Sequence, residues 1–211
     1  MSDHLEKIKV AIVNGSHKEI EELVRLALAD DMPPERLVND AMIPGMDVVG
    51  QKFSEKEIFV PEMLVSAVTM TKGLDLLRPI LKKDGVESKA RIVMCTVRGD
   101  VHDIGKNLVM MMLEGAGFEV VNMGVDLSVE NVIEKVRELK PAILGLSSML
   151  TTTMPEMQKV IESLETSGLR QDVKVMVGGA PVDAAFAEKI GADGYGGDAA
   201  EAVRIAKSFF E

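Results

Sequence analysis

The sequence lacks several features that would direct its fold or its location. It has no tryptophan, one tyrosine and one cysteine, Cys95, among 211 residues. A single cysteine excludes an internal disulfide. No uninterrupted apolar run reaches the roughly 18 residues of a membrane-spanning helix, and the charged segment Met1–Val10 lacks the apolar centre of a signal peptide. We therefore expect no membrane partner and a cytoplasmic location.

Positive charge is also scarce. Lysine and arginine number 24 against 34 aspartate and glutamate residues, which leaves a formal net charge of −10. Binding to phosphates needs a basic surface, so nucleic acid is not an expected partner. Hydrophobic residues make up 46% of the chain, which is enough for a substantial core, and the length fits one large domain or two small ones.

The first part of the chain has the apolar spacing of amphipathic helices. Hydrophobic residues recur at intervals of three and four in the stretches 3–13, 16–28, 34–53 and 61–82. Pro44 and Gly45 interrupt the third stretch and predict a kink there. Amphipathic helices joined by short links predict a four-helix bundle over residues 1–88. The polar segment Lys82–Lys89 is the expected interdomain linker.

From residue 89 onward, short apolar runs alternate with amphipathic stretches. The runs predict strands at 91–97, 119–123, 142–146, 173–177 and 194–195. The amphipathic stretches predict helices at 104–116, 129–139, 155–165, 184–190 and 199–210. Strict alternation of strand and helix predicts an α/β domain over residues 89–211, with a five-stranded, parallel, doubly wound sheet of the Rossmann or flavodoxin type.

The loop after the first predicted strand contains the only histidine of this second domain. His102 lies between Asp100 and Asp103, at the strand end where open parallel sheets bind ligands. A carboxylate two residues before a histidine can hold one ring nitrogen and leave the other as a metal ligand. No second histidine or cysteine is near in sequence, which indicates a metal that arrives inside a cofactor rather than a zinc site made by protein ligands alone. A structural histidine and a metal-dependent hydrolase using these three residues remain open.

Small and hydroxylated residues occupy the other loops at the same edge of the sheet. The segment Ser147–Thr153 contains five hydroxyl side chains, the next loop begins with Gly178 and Gly179, and the last contains Gly197. Glycine allows a ligand to approach the backbone closely. These loops therefore predict a large, flat or bulky ligand with a long tail.

Together these motifs resemble the signature of cobalamin-dependent methyltransferase domains. The matching residues are Asp100-x-His102-x-x-Gly105, then Ser147, then the pair Gly178-Gly179. The helical bundle looks like the cap of cobalamin-dependent methionine synthase. The whole chain is similar to the small corrinoid proteins of methylamine, methanol and glycine betaine methyltransferase systems, and this implies binding of cobalamin or a related corrinoid with its cobalt.

The resemblance implies a role for each matching residue. His102 would be the protein ligand to the cobalt, Asp100 would hydrogen-bond to His102, and Thr153 would extend this relay. The expected contacts of the cofactor and its nucleotide tail are Gly99, Val101, Asp103, Gly105, Ser147, Met149, Thr151, Gly178, Gly179 and Gly197.

The resemblance also implies a function as a methyl carrier that depends on partner enzymes. A substrate-specific corrinoid methyltransferase would load the methyl group, an acceptor methyltransferase would pass it to tetrahydrofolate or a thiol, and a reductive activase would restore the cofactor. The stripe of Phe59, Met63 and Met70 is the candidate cap surface, with ordinary bundle core as the alternative. A corrinoid-binding sensor or regulator and the B12 subunit of a carbon-skeleton mutase are the alternative functions.

Overall fold

The chain divides into two compact units. The computed structural model describes residues 2–83 and 90–210. One unit holds the described residues up to 83 together with 114–117, and the other holds 90–113 and 118–210. Residues 84–89 of the expected linker, and with them the expected boundary at 88, lie outside the described residues.

The first unit is helical. Its elements are α1 (Ser2–Val13), α2 (Ile20–Ala29), α3 (Pro34–Leu37), a π-helical segment (Val38–Met42), α4 (Ile43–Ser54) and α5 (Val60–Lys83). The third predicted helix is therefore a continuous run of three segments, and the predicted bundle of four helices is confirmed.

The irregularity predicted at Pro44 takes the form of a π-helical turn. Proline has no amide hydrogen, and in a regular α-helix its ring clashes with the carbonyl four residues earlier. Pro44 lies in the first turn of α4, directly after the π-helical segment, and the Ile43 amide donates to the Val38 carbonyl five residues earlier. Because the widened turn contains an extra residue, the helix passes the proline without ending.

Helix α5 has one buried and one exposed apolar face. The buried apolar side chains, at helical spacing, are Met63, Ala67, Met70, Leu74 and Leu77. The exposed apolar face, counted from the residue before the helix, consists of Phe59, Val60, Leu64, Val65 and Val68. The prediction that Met63 and Met70 belong to an exposed cap surface is therefore wrong, because their spacing places them with the core residues, whereas Phe59 is 66% exposed.

The second unit alternates strands and helices as predicted. Its elements are β1 (Arg91–Thr96), α6 (Ile104–Gly115), β2 (Glu119–Asn122), α7 (Val129–Leu139), β3 (Ile143–Ser147), α8 (Met154–Thr166), a 3₁₀ turn (Arg170–Asp172), β4 (Lys174–Gly178), α9 (Ala184–Lys189), β5 (Gly194–Gly196) and α10 (Ala199–Ser208). All strand pairs are parallel, and the strand order is β2-β1-β3-β4-β5. The predicted α/β architecture is confirmed.

The strand order creates a switch point between β1 and β3. The chain leaves β1 for β2 on one side and returns to β3 on the other, so the loops after β1 and β3 diverge at the carboxyl edge of the sheet. The register aligns Thr96, Ser147, Gly178 and Gly196 in one row along that edge. Open α/β sheets bind their ligands at such a point.

Aliphatic side chains of the central strands form the core beneath this edge. Val93, Leu144 and Val175 lie side by side on β1, β3 and β4 and are fully buried. Cys95 belongs to the same core cluster, as predicted, and burial raises the pKa of its thiol to about 12.

Replacing Leu144 should test how much this core supports the second unit. Leu144→Ala removes a fully buried side chain between two packed strands, and such a change costs about 2–5 kcal/mol of the free energy of unfolding. Urea unfolding monitored by circular dichroism measures the loss. Leu26→Ala, at a half-exposed leucine of α2, should change the free energy by less than about 0.5 kcal/mol; equal losses for the two variants would contradict the packing described.

Candidate functional site

His102 lies in an extended loop between β1 and α6. The Asp100 amide donates to the Val97 carbonyl at 3.2 Å, which closes a turn at the strand end. Within this turn Gly99 adopts φ +81°, a conformation that favours glycine. The buried Thr96 hydroxyl donates to the His102 carbonyl at 2.9 Å. The backbone on both sides of His102 is therefore anchored to the end of β1.

The Asp100 carboxylate is fully buried beneath His102. Its Oδ1 accepts from the His102 ring Nδ1 at 2.8 Å and from the His102 amide at 2.9 Å. Its Oδ2 accepts from the Met149 amide at 2.6 Å and from the Thr153 hydroxyl at 3.3 Å. Both oxygens are thus satisfied, and one side chain of the β1 loop joins the loop after β3.

The charge state of Asp100 follows from these contacts. Burial alone would raise the pKa of the carboxyl, but the hydrogen bonds from His102, Met149 and Thr153 outweigh burial and hold the pKa below its ordinary value. Asp100 is therefore an anion at neutral pH. An anionic carboxylate can only accept hydrogen bonds, so Nδ1 of His102 carries a hydrogen.

The other ring nitrogen of His102 is available to a ligand. In residues 2–83 and 90–210, nothing hydrogen-bonds to His102 Nε2, and the side chain is 53% exposed. When Nδ1 carries the only ring hydrogen, Nε2 presents a lone pair. Val101 and Ile104, close to His102 in the sequence, are exposed apolar side chains of the same loop and the helix start, 69% and 84% exposed.

A pair of buried hydroxyls continues the contact beyond Asp100. Thr153 Oγ1 lies 2.7 Å from Ser148 Oγ, and Ser148 is fully buried. Both hydroxyls also lie within hydrogen-bond distance of the Leu150 carbonyl, Thr153 at 3.0 Å and Ser148 at 3.1 Å, and either hydroxyl can donate to the other. Sequence reasoning missed Ser148, because its neighbour Ser147 occupies the motif position.

The glycine pair at the carboxyl end of β4 allows close backbone packing, of Gly179 against the loop after β3 and of Gly178 against β5. Gly179 has φ +126°, and a Cβ there would lie 1.8 Å from the Ser148 carbonyl oxygen. A Cβ at Gly178 would lie 2.8 Å from the Gly196 carbonyl oxygen. The Ala180 amide also donates to Met149 Sδ at 3.4 Å. The loop after β3, which hydrogen-bonds to Asp100 through Met149 and Thr153, is therefore also held by contacts from the loop after β4.

The other predicted site residues are distributed more widely. Val101, Asp103, Gly105 and Thr151 are exposed at this edge, and the Asp103 carboxylate accepts from the Asn107 amide group at 3.0 Å. Gly197 follows β5, two strands away from β3, and its amide donates to Glu201 at 2.9 Å. Asp100, His102 and Thr153 are thus brought into contact, whereas Gly197 does not join them.

Sequence reasoning also assigned no role to a buried cation next to the loop. Lys106 in the first turn of α6 is 3% exposed, and its ammonium donates to Asn122 at 2.6 Å and to Asn107 at 3.4 Å. Burial lowers the pKa of this lysine, and the nearby Asp103 opposes the shift. In the sequence, this position of Lys106 was indicated by its place two residues before the apolar stretch of α6.

The geometry offers no support for a protein-only metal site. Among the described residues there is no group of three histidine, cysteine or acidic side chains placed to hold a metal ion. Both Asp100 oxygens are engaged, and Asp103 contacts Asn107. The hydrolase that would use Asp100, His102 and Asp103 is therefore not supported.

The fold and this site define a class of protein. Models of the B12 binding domain match residues 90–204 and residues 4–78. The chain belongs to the B12-binding family of corrinoid proteins.

Relatives in this family match over nearly the whole chain. Dimethylamine corrinoid protein 2 of Methanosarcina acetivorans is 42% identical over 205 residues, 96% of this chain and 94% of the relative. The trimethylamine corrinoid protein of Methanosarcina barkeri is 39% identical over 206 residues, 97% of this chain and 95% of the relative. A chain of the methanol:cobalamin methyltransferase complex of Methanosarcina barkeri matches with a TM-score of 0.85 at 31% identity, covering 98% of this chain and 79% of that one.

The helices that the structure describes do not include a membrane span. None between residues 2 and 83 or between 90 and 210 is both long and apolar enough to cross a bilayer.

Adding a methyl group at Gly179 should disrupt the contact between the β3 and β4 loops. Gly179→Ala introduces both an unfavourable φ and a clash with the Ser148 backbone, so we expect several kcal/mol of destabilisation or loss of folding. Gly191→Ala is the matched control, because Gly191 also has positive φ (+74°) but open space around it. The control should lose only about 1–2 kcal/mol in thermal or urea unfolding; similar losses would show that the close approach is unimportant.

The stability supplied by Asp100 should depend on pH. Its folded pKa lies below the ordinary value, so its contribution is present above the unfolded pKa of about 4 and is lost as the pH falls through the folded pKa. Asp100→Asn should therefore be less stable than the wild type at neutral pH. The difference in the free energy of unfolding between the wild type and Asp100→Asn should stay constant down to about pH 4 and shrink below it. A difference that begins to shrink well above about pH 4, or that does not shrink at all as the pH falls further below that value, would contradict the lowered pKa.

Proposed function

We propose that this chain is a corrinoid-dependent methyl carrier in which Nε2 of His102 is the protein ligand to cobalt. The observation that carries the proposal is the buried, anionic Asp100 on Nδ1 of a half-exposed histidine. Support also comes from relatives whose names are dimethylamine and trimethylamine corrinoid proteins. The methyl donor we propose is accordingly a small methylated compound, a methylamine or methanol.

The contact between Asp100 and His102 suits a histidine that binds a metal. When one ring nitrogen of a histidine binds a metal, the other ring nitrogen commonly donates a hydrogen bond to a carboxylate. This hydrogen bond fixes the tautomer, orients the ring and increases the basicity of the ligating nitrogen. Thr153 contacts the same carboxylate and Ser148 contacts Thr153. These hydroxyls stabilise the anion and so keep the hydrogen on Nδ1.

The residues around His102 fit a large cofactor. Gly105 is a helical glycine, and a Cβ there would meet no other atom within 4 Å. Gly105 lies in the first turn of α6, and no described residue comes close enough to require a glycine there. A ligand surface close to the backbone would explain it. The residues proposed to hold the cofactor and its tail are Gly99, Val101, Asp103, Gly105, Ser147, Met149, Thr151, Gly178, Gly179 and Gly197.

In this proposal the corrinoid and the protein residues contribute different parts of the function. A bound corrinoid supplies a cobalt centre that can accept and release a methyl group. The protein residues would orient that centre through His102 and hold the hydrogen on Nδ1 through Asp100, and the exposed apolar side chains of Val101 and Ile104 would be available to contact the corrinoid.

The partners and the domain roles are part of the same proposal. The solved complex of methanol:cobalamin methyltransferase supports docking onto a substrate-specific methyltransferase; an acceptor methyltransferase and a reductive activase are proposed in addition. Residues 1–88 are proposed as a cap domain and 89–211 as the corrinoid-binding domain. The exposed face of α5 from Phe59 to Val68 is the proposed cap surface. A cytoplasmic location stays a prediction.

The histidine ligand can be tested by isotope labelling of the reconstituted protein. The full chain with nitrogen-15 histidine is loaded with hydroxocobalamin and reduced to the cobalt(II) form, and its electron paramagnetic resonance spectrum is recorded. A histidine ligand should split the signals into doublets where unlabelled protein gives triplets. The chain has three histidines, and His102→Ala should abolish the labelled splitting.

The two remaining histidines supply matched controls. His4→Ala and His17→Ala remove histidines of the first unit that contact Asp30 and Gly15, and both should retain the doublets. Triplets in the labelled wild type would mean that the cofactor keeps its own base as the lower ligand. Doublets that survive in His102→Ala would assign the ligand to another histidine. Either result would contradict the assignment of His102 as the cobalt ligand.

A further inference from the structure

The loop after β2 lies against the loop that carries His102. Two hydrogen bonds join it to that loop, from Asp126 N–H to Asp100 O at 2.9 Å and from Gly99 N–H to Asp126 Oδ1 at 2.7 Å. Two more join it to Thr96 at the end of β1, from Thr96 N–H to Gly124 O at 3.1 Å and from Leu127 N–H to Thr96 O at 3.2 Å. Two of the four involve Asp126, and both of these contact the residues just before His102.

Asp126 holds the neighbouring loop through its main chain and its side chain together. Its amide donates to the Asp100 carbonyl, and its carboxylate accepts from the Gly99 amide. Its φ is +55°, in the left-handed region that residues with side chains rarely adopt and that aspartate tolerates better than most. Asp126 therefore adopts an unusual backbone conformation in which both its amide and its carboxylate bond to the Gly99–Asp100 turn.

We infer that Asp126 is a positioning residue, which fixes the Gly99–Asp100 turn so that the Asp100 carboxylate is directed at Nδ1 of His102. This inference rests on the proposed function, since it concerns how strongly His102 can serve as a ligand. Asp126 makes no hydrogen bond to His102 in the described residues and acts through Asp100.

The geometry gives Asp126 a distinct part of this task. Thr96 anchors His102 from below, through its hydroxyl on the His102 carbonyl. Met149 and Thr153 hold Oδ2 of Asp100 from the β3 side. On the β2 side, the carboxylate of Asp126 accepts a hydrogen bond from the Gly99 amide of this turn. Removing the Asp126 carboxylate should therefore loosen the turn while the buried contacts of the Asp100 side chain remain.

The variants separate the carboxylate from the backbone conformation. Asp126→Gly permits the positive φ and removes the acceptor. Asp126→Asn keeps an acceptor oxygen and a residue that tolerates this region. Asp31→Gly is the matched control, because Asp31 has a similar φ of +54° but ends α2 in the first unit.

The first readout uses the chain without cofactor. Hydrogen exchange of the Gly99 amide, followed by nuclear magnetic resonance, should be about five- to tenfold faster in Asp126→Gly, the size expected for the loss of one charge-assisted hydrogen bond at an exposed position. Asp126→Asn should restore most of the protection, and Asp31→Gly should leave it unchanged.

The second readout uses the protein loaded with hydroxocobalamin. In the cobalt(II) form with nitrogen-15 histidine, the fraction of centres that show the doublet splitting should fall about two- to fivefold in Asp126→Gly. This change is smaller than that in Gly99 amide exchange, because the lost hydrogen bond acts on His102 only through Asp100. Asp126→Asn should recover the fraction. A general loss of stability would not produce this selective change, and thermal unfolding of each variant checks that the chain is folded.

The outcomes distinguish this inference from the proposed function. Absence of the doublet in the wild type would overturn His102 as the ligand, and with it the inference. A wild-type doublet that persists undiminished in Asp126→Gly, or that falls equally in Asp31→Gly, would overturn the inference alone. A selective fall in Asp126→Gly with rescue by Asp126→Asn would establish Asp126 as a positioning residue.

Discussion

The site depends on the burial of one negative charge. A carboxylate without solvent needs hydrogen bonds to all of its oxygens, because a buried, unpaired charge is very unfavourable. Asp100 obtains them from His102 on its own loop and from Met149 and Thr153 on the loop after β3. The same contacts that stabilise the anion therefore orient the histidine and join two loops at the switch point of the sheet. Neither loop could move far without leaving part of that charge unsatisfied.

Packing between loop backbones is the second constraint. Gly179 approaches the Ser148 carbonyl so closely that no side chain fits between them, and this approach places Ser148 beside Thr153. The two buried hydroxyls of Ser148 and Thr153 lie 2.7 Å apart, which is hydrogen-bond distance, so Thr153 can link Ser148 to Asp100. A glycine that is usually explained by its freedom of φ is explained here by the volume it leaves empty as well.

The helical unit shows why residue type alone is a poor guide to exposure. Methionine occurs both in cores and at adaptable surfaces, so Met63 and Met70 could be assigned to either from composition. Their spacing with Ala67 and Leu77 is what decides the matter, because it places them on one face of α5. The exposed apolar face is built instead from Phe59, Val60, Leu64, Val65 and Val68, which supplies the better candidate for a surface that meets a ligand or a partner.

Local pattern alone was enough to predict the helical bundle, the order and approximate limits of the strands, and the motif around His102, because periodicity and short spacing are properties of neighbouring residues. The motif also placed Asp100, His102 and Thr153 in one relay by resemblance. Only the tertiary structure decided that Ser148 adjoins Thr153, that Lys106 is buried on Asn122, and that Asp126 holds the Gly99–Asp100 turn. These contacts join different strand–loop segments or depend on how a loop folds back on itself. The contacts of Lys106 with Asn122 and of Gly99 with Asp126 follow from the parallel pairing of β1 with β2. Such pairing brings distant segments together and leaves no mark in the local spacing of residues.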